Sequence, residues 1–213
     1  MKHITFYLDF VSPYAWLALE QIPQALQGIS HHIEYRPVLL GALLQGDANP
    51  GPAGIPAKRT WTYRHVSWLG QSLGIPLQMP AQHPFNPLPL LRLALAHGRN
   101  GSINRFVAQA VMQHAWVGGL DANAPERLQV LRELLLEQKH AEEAGEDVKQ
   151  WLRSNTDQAK QVGVFGVPAW EVDGKVFWGQ DALPMLRSYL QGDAWFEPQW
   201  EAAAQVESGL KKS

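Results

Sequence analysis

The chain opens with "HITFYL", residues 3–8, a β-branched and aromatic run that stops at "DFVSP". Such a run reads as a strand, and Pro13 suits the first turn of a helix because its missing N–H would have no partner there anyway. The spacing predicts a helix to about Leu26, with Trp16, Leu19, Ile22, Pro23 and Leu26 on its apolar face and Pro23 marking a kink or local break. "HIEYRPV" reads as a second strand, and a crossover of that length demands parallel pairing with the first. Residues 41–56, "GALLQGDANPGPAGIP", are dense in glycine, proline and small residues and predict a long loop, the kind that carries a function in a compact domain. Residues 57–73, with Trp61, Tyr63 and Trp68, predict a short helix.

After "GIPLQMPAQHPFNPLP" the pattern becomes helical throughout, over about 88–97, 102–115, 124–139 and 142–154, with Leu128, Leu131, Leu134 and Leu135 at helical spacing. "TDQAKQVGV" then reads as a threonine cap and a new helix, "FGVPAWEVDGKVFWG" as two short strands about an Asp-Gly turn, and "QDALPMLRSYLQG" as a closing helix. The final residues are polar and weakly patterned, apart from Trp195, Phe196 and Trp200, which are candidate anchors for the tail.

Strand–helix–strand at the front and hairpin–helix at the back form the thioredoxin arrangement. The expected class is α/β, with a thioredoxin-like core over residues 1–78 and 156–192, a large all-helical insertion domain over 79–155, and a C-terminal tail over 193–213. "GVP" ahead of a short strand sharpens the expectation, because a tight X-Pro junction there can take the cis form that such folds place beside their active helix. Val167–Pro168 is the candidate cis bond, and an ordinary trans proline opening a strand is the alternative.

Composition narrows the chemistry. With 213 residues the chain can bury a substantial apolar core, and its nine tryptophans imply large aromatic surfaces in a core, a pocket or an interface. Cysteine is absent, which excludes disulfides, thiolate nucleophiles, iron–sulfur clusters and cysteine-based zinc sites of the chain's own. A formal charge of −2, from 18 basic and 20 acidic residues, offers no field for a phosphate backbone, so no nucleic-acid partner is expected. No apolar run reaches membrane-spanning length and the N-terminus has no signal-peptide pattern, so no membrane partner is expected and the chain reads as soluble and cytoplasmic. Eight histidines fall at no metal-binding spacing, and no metal site is expected.

Three places carry candidate chemistry. Ser12, just before Pro13, is placed as a helix cap, yet a helix N-terminus also stabilises anions. A thiolate brought by a substrate could accept its hydroxyl proton there, and the missing cysteine would be no obstacle. Gln180 and Asp181 open the last helix, where Asp181 reads either as a first-turn partner of the dipole or as a ligand for an ammonium group. Asn49 and Lys58 lie close in sequence, and the lysine reads either as a solvated charge or as a partner for a carboxylate at an anion-binding cleft.

"FYLDFVSPYAWLA" at 6–18 and "GVFGVPAWEVDGKVFWGQDALPML" at 163–186 resemble the two signature regions of the 2-hydroxychromene-2-carboxylate isomerase family, and "YRPVLLGALL" and "PAKRTW" sit where that family has its loop and lysine segment. These enzymes are relatives of the kappa-class glutathione transferases within the thioredoxin-like, disulfide-oxidoreductase-related group. The resemblance spans the chain to about residue 192. It implies a glutathione site, in which Ser12 holds the sulfur as thiolate and the Val167 backbone, ahead of a cis Pro168, pairs with the cysteinyl portion. Gln180 and Asp181 would contact the γ-glutamyl end, with Asn49 and Lys58 holding charged groups near the cleft. The helical insertion would supply the opposite wall for an aromatic carboxylate, with Tyr14, Trp16, Trp61 and His65 as substrate contacts. The implied reaction interconverts 2-hydroxychromene-2-carboxylate and trans-o-hydroxybenzylidenepyruvate, by reversible addition of the thiolate, bond rotation and elimination. The chain departs from the family pattern after Lys58, where "TWTYRHVSWLG" places His65 and Trp68 near positions that usually carry an acid and an arginine.

Two other functions compete: a kappa-like glutathione transferase or peroxidase acting on small electrophiles, and a non-catalytic binding protein on the same scaffold. The resemblance also implies a homodimer. Disulfide exchange is excluded, because the segment that would carry a Cys-x-x-Cys pair reads "SPYA".

Overall fold

The structure, a computed structural model, describes residues 1–45, 50–207 and 209. Strand β1 (Lys2–Leu8) runs into helix α1 (Pro13–Ala25), and strand β2 (His31–Pro37) returns parallel to β1 in a register from Lys2 opposite His31 to Leu8 opposite Pro37. Pro23 lies inside α1 without interrupting it. Near the C-terminus, β3 (Ala169–Val172) and β4 (Lys175–Trp178) form a hairpin about Asp173 and Gly174, whose φ angles of 51° and 75° give the left-handed turn that an Asp-Gly pair favours. β3 joins β1 antiparallel, with Phe6 opposite Trp170, so the sheet order is β2-β1-β3-β4. Segments far apart in the sequence therefore meet at the centre of the sheet, where Phe6 and Trp170 stack with centroids 4.0 Å apart.

Residues 41–56 differ from the expected loop: α2 (Leu40–Gln45) and α3 (Gly51–Gly54) are short helices, and residues 46–49 lie outside the described residues. The apolar run "LLGALL" supplies a helical turn once Leu43 finds a buried place, which glycine and proline content alone does not reveal. Helix α4 (Pro56–Leu73) follows as predicted and stops at Gly74, which has φ 66°.

The helical block comprises α5 (Leu88–Ala96), α6 (Arg105–Trp116), α7 (Pro125–Leu134) and α8 (Glu146–Gln161). α5, "LPLLRLALA", is apolar on nearly every side and lies buried against β2, α6 and α8. Its leucines join Ile4, Phe6 and Leu19 in one apolar cluster, so the helical block and the sheet share a core. Thr156 is no helix cap: α8 runs unbroken through it, with Val148, Leu152 and Ala159 continuing the buried stripe. Its hydroxyl instead donates to the Leu152 carbonyl and accepts the Leu39 N–H. A boundary between 155 and 156 thus falls inside a helix. After α9 (Leu183–Leu190), the tail forms α10 (Gln199–Ala204), and Phe196 and Trp200 pack on Phe177 at 6.0 and 5.1 Å between centroids. Among the described residues, no helix is long and apolar enough to cross a membrane.

Candidate active site

The site forms where β1 ends. Asp9 to Ser12 make a turn closed by the Ser12 N–H donating to the Asp9 carbonyl at 3.0 Å, and α1 begins at Pro13. Ser12 is 5% exposed. Its hydroxyl oxygen accepts the Ala15 N–H at 3.3 Å, the capping contact, and its hydrogen points to the Val167 carbonyl, also at 3.3 Å. The capping reading therefore holds, and the same hydroxyl reaches across 155 residues of sequence to the segment before Pro168. The Val167–Pro168 peptide is cis, as expected, and so is His83–Pro84, which the sequence reading did not single out.

A bond of 3.3 Å is long for a hydroxyl donor, where 2.7–2.8 Å is usual, so the Ser12 hydrogen is weakly held. The first-turn N–H groups of α1 add the positive end of the helix dipole to this spot. The Val167 N–H, by contrast, has no hydrogen-bond partner among the described residues. A ligand carrying an anionic atom and a peptide-like acceptor would find a place for both.

The Pro168 carbonyl accepts the Gly179 N–H at 2.9 Å, which ties this strand to the single turn of 3-10 helix Gln180–Ala182. Gly179 has φ 106°, and a Cβ there would fall 2.3 Å from Asp181 Oδ1, so only glycine lets the carboxylate fold over its own turn. Asp181 is exposed, joins no ion pair among the described residues, and lies close enough to Tyr14 for its charge to be felt there.

Tyr14, in the first turn of α1, bonds His65 of α4 through a 2.9 Å contact between its hydroxyl and Nδ1. Burial, seconded by the charge of Asp181, raises the Tyr14 hydroxyl above the ordinary phenol value, so it remains a neutral donor. His65 stacks between Trp61 at 5.9 Å and Trp68 at 6.3 Å, with interplanar angles of 11° and 13°. Both indoles are more than 60% exposed, at 64% and 61%. Lys58 lies seven residues before His65 and hence on the same stripe of α4, and it is exposed.

The structure therefore brings together Ser12, Val167 and Pro168 by direct contact, and Tyr14, His65 and Trp61 likewise. Gln180 and Asp181 sit on a turn that packs against α1, while Asn49 lies outside the described residues. Trp16 is a correction to the expected substrate contacts. It is 1% exposed, its indole N–H is committed to the Pro76 carbonyl at 2.9 Å, and it faces the core and a groove of about 510 Å³ formed with Glu20, Gln113 and His114. Tyr14 and Trp16 are two residues apart and so point about 200° apart around the helix, which makes them poor companions in one cleft.

Sequence reasoning also passed over Asp9. It is fully buried, its carboxylate accepts the Val11 N–H at 3.1 Å and the Leu40 N–H at 2.8 Å, and burial pushes its pKa up to about 7. An acid set within the apolar run "ITFYLDFV" was the available signal.

Comparisons with known proteins place the chain in a family and a fold. Residues 3–191 match the DSBA-like thioredoxin domain, and the chain belongs to that family. It is similar to a 2-hydroxychromene-2-carboxylate isomerase of Sphingobium xenophagum, 28% identical over 204 residues that cover 89% of this chain and 98% of the relative. It is also similar to glutathione S-transferase kappa 2 of Caenorhabditis elegans, 26% identical over 211 residues, with 89% of this chain and 92% of the relative covered. A solved structure of 2-hydroxychromene-2-carboxylate isomerase shares the fold, with a TM-score of 0.75 over 96% of this chain and 100% of that one at 20% identity. The resemblance carried by the two signature segments thus extends over whole-length relatives.

Proposed function

We propose that the protein is a glutathione-dependent isomerase that interconverts 2-hydroxychromene-2-carboxylate and trans-o-hydroxybenzylidenepyruvate, or a similar aromatic pyruvate. The observation that carries this reading is the Ser12 hydroxyl at the head of α1, weakly engaged with the Val167 carbonyl and beside a Val167 N–H that has no partner among the described residues, in a chain without cysteine. These groups fit the cysteinyl part of glutathione: the hydroxyl can turn to a sulfur anion at little cost, and the free N–H needs an acceptor. Glutathione, when bound, supplies the nucleophilic sulfur that the chain itself lacks.

Each residue then has a defined task. Ser12 and the α1 N-terminus hold negative charge at the sulfur position, Val167 aligns the tripeptide backbone, and Gln180 with Asp181 receives its ammonium end. Lys58 and, outside the described residues, Asn49 offer partners to its carboxylates. Tyr14, held neutral and oriented by His65, donates toward the substrate's oxygen atoms, while Trp61 offers a flat apolar surface to its ring.

The test is an isomerisation assay run with and without glutathione. Interconversion that needs glutathione and leaves its concentration unchanged is expected. The similarity to a kappa transferase favours one other outcome: glutathione consumed in step with product would make the protein a transferase. Isomerisation at equal rates with and without glutathione contradicts both.

A further inference from the structure

The turn that carries Ser12 is held by the side chains of Asp9 and His83. The Val11 N–H donates to Asp9 Oδ1, and the Val11 carbonyl accepts from His83 Nε2 at 2.8 Å. That carbonyl belongs to the Val11–Ser12 peptide, whose own N–H goes to the Asp9 carbonyl. The peptide group leading directly into Ser12 is therefore fixed at both ends, and its plane sets the direction in which the Ser12 side chain leaves the backbone.

The His83 ring is itself held. A carbonyl only accepts, so Nε2 must carry a hydrogen. On the other side Nδ1 meets the Tyr63 hydroxyl at 2.9 Å, and that hydroxyl lies 2.7 Å from the His83 carbonyl, to which it donates. Trp116 and Phe85 pack on the ring at 5.4 and 6.2 Å. Tyr63 belongs to α4, the helix that also presents His65 to Tyr14, so one helix supports both the sulfur side and the aromatic side of the cleft.

We propose that Asp9 and His83 are positioning residues for Ser12, clamping the Val11 backbone from its two sides so that the hydroxyl is presented at the mouth of α1. The proposal rests on the glutathione reading for its functional consequence, and on hydrogen bonds alone for its geometry. Its energetic sense follows from burial. Among the described residues the Asp9 carboxyl is met by the backbone N–H groups of Phe10, Val11 and Leu40, and burial lowers the His83 pKa, so the ring is held as a neutral donor. The Val11 carbonyl needs the neutral tautomer with its hydrogen on Nε2; Nδ1 then carries only a lone pair, and the one Tyr63 hydroxyl hydrogen is shared between it and the His83 carbonyl.

Two measurements test it. In the ligand-free protein, amide hydrogen exchange at Val11 and Ser12 is expected to speed up at least tenfold in His83→Ala, with Phe6 in the centre of the sheet unchanged; equal protection at Val11 and Ser12 overturns the proposal whatever the ligand. With glutathione bound, His83→Ala is expected to raise the thiol pKa by about one unit, while affinity for S-methylglutathione stays within twofold. His83→Gln, which keeps a donor near the Nε2 position, is expected to recover most of that shift. Tyr63→Phe, which removes only a hydroxyl from a part-exposed ring, should move the thiol pKa the same way by less. A thiol pKa equal to that of the unmodified protein in both His83→Ala and Tyr63→Phe overturns the proposal, and so does a loss of affinity for both ligands that His83→Gln does not recover. Should the unmodified protein take up no glutathione at all, the glutathione reading fails first and the functional half of this proposal with it.

Discussion

Ser12→Ala is expected to raise the pKa of the bound glutathione thiol by about one to two units and to slow isomerisation roughly ten- to hundredfold at neutral pH. A hydrogen bond to a charged group contributes about 1.5–3 kcal/mol, and one pKa unit corresponds to about 1.4 kcal/mol. The helix dipole remains in the variant, so part of the stabilisation persists. Ser12 also caps α1 through the Ala15 N–H, and losing that contact should cost about 1 kcal/mol of stability, well within what a folded domain tolerates. The two effects separate in experiment: thiolate ultraviolet absorbance followed against pH reads the first, and urea unfolding reads the second. Identical thiol titrations in the two proteins would remove Ser12 from the sulfur site and leave it a cap.

Trp116→Ala should have the largest effect on stability, about 3–5 kcal/mol in urea unfolding. Trp116 is fully buried at the end of α6, and its indole N–H donates to the Phe10 carbonyl at 2.9 Å. Its removal opens a cavity beside Phe85 and His83 and leaves the Phe10 carbonyl without its donor. Because Phe10 lies in the turn before Ser12, the helical block helps to hold that turn. Trp116→Phe keeps most of the volume and should cost only about 1–2 kcal/mol, the share of the hydrogen bond and the smaller ring. Equal losses in the two variants would contradict this division.

Local pattern was enough for the elements that meet at the sheet. β1, the start of α1 and the Asp-Gly hairpin each follow from alternation, a proline at the first helical turn and a turn pair, all within about ten residues. The Ser12 cap and the cis Val167–Pro168 peptide were legible for the same reason, and it took the pairing of β3 with β1 to bring Ser12 and Val167 into contact. Contacts between separate segments were not legible. His83 meets Val11 across 72 residues, and nothing near "AQHPFNP" marks that histidine as different from the other seven. Thr156 was misread because its residue type suits a cap, whereas the buried stripe of α8 passes straight through it. Trp16 was misread because an aromatic residue near a cleft looks like a ligand contact until the helix phase and the Pro76 carbonyl decide which way it faces.

The most direct test of a thiolate site at Ser12 is calorimetric titration of the purified protein with reduced glutathione and, separately, with S-methylglutathione. The free thiol should bind about tenfold or more tightly than its methylated form at pH 8, because only the former presents a sulfur anion to the hydroxyl and the helix end. Equal affinities would mean that the protein recognises the tripeptide without its sulfur, and no binding of either would place a non-catalytic binding protein on this scaffold.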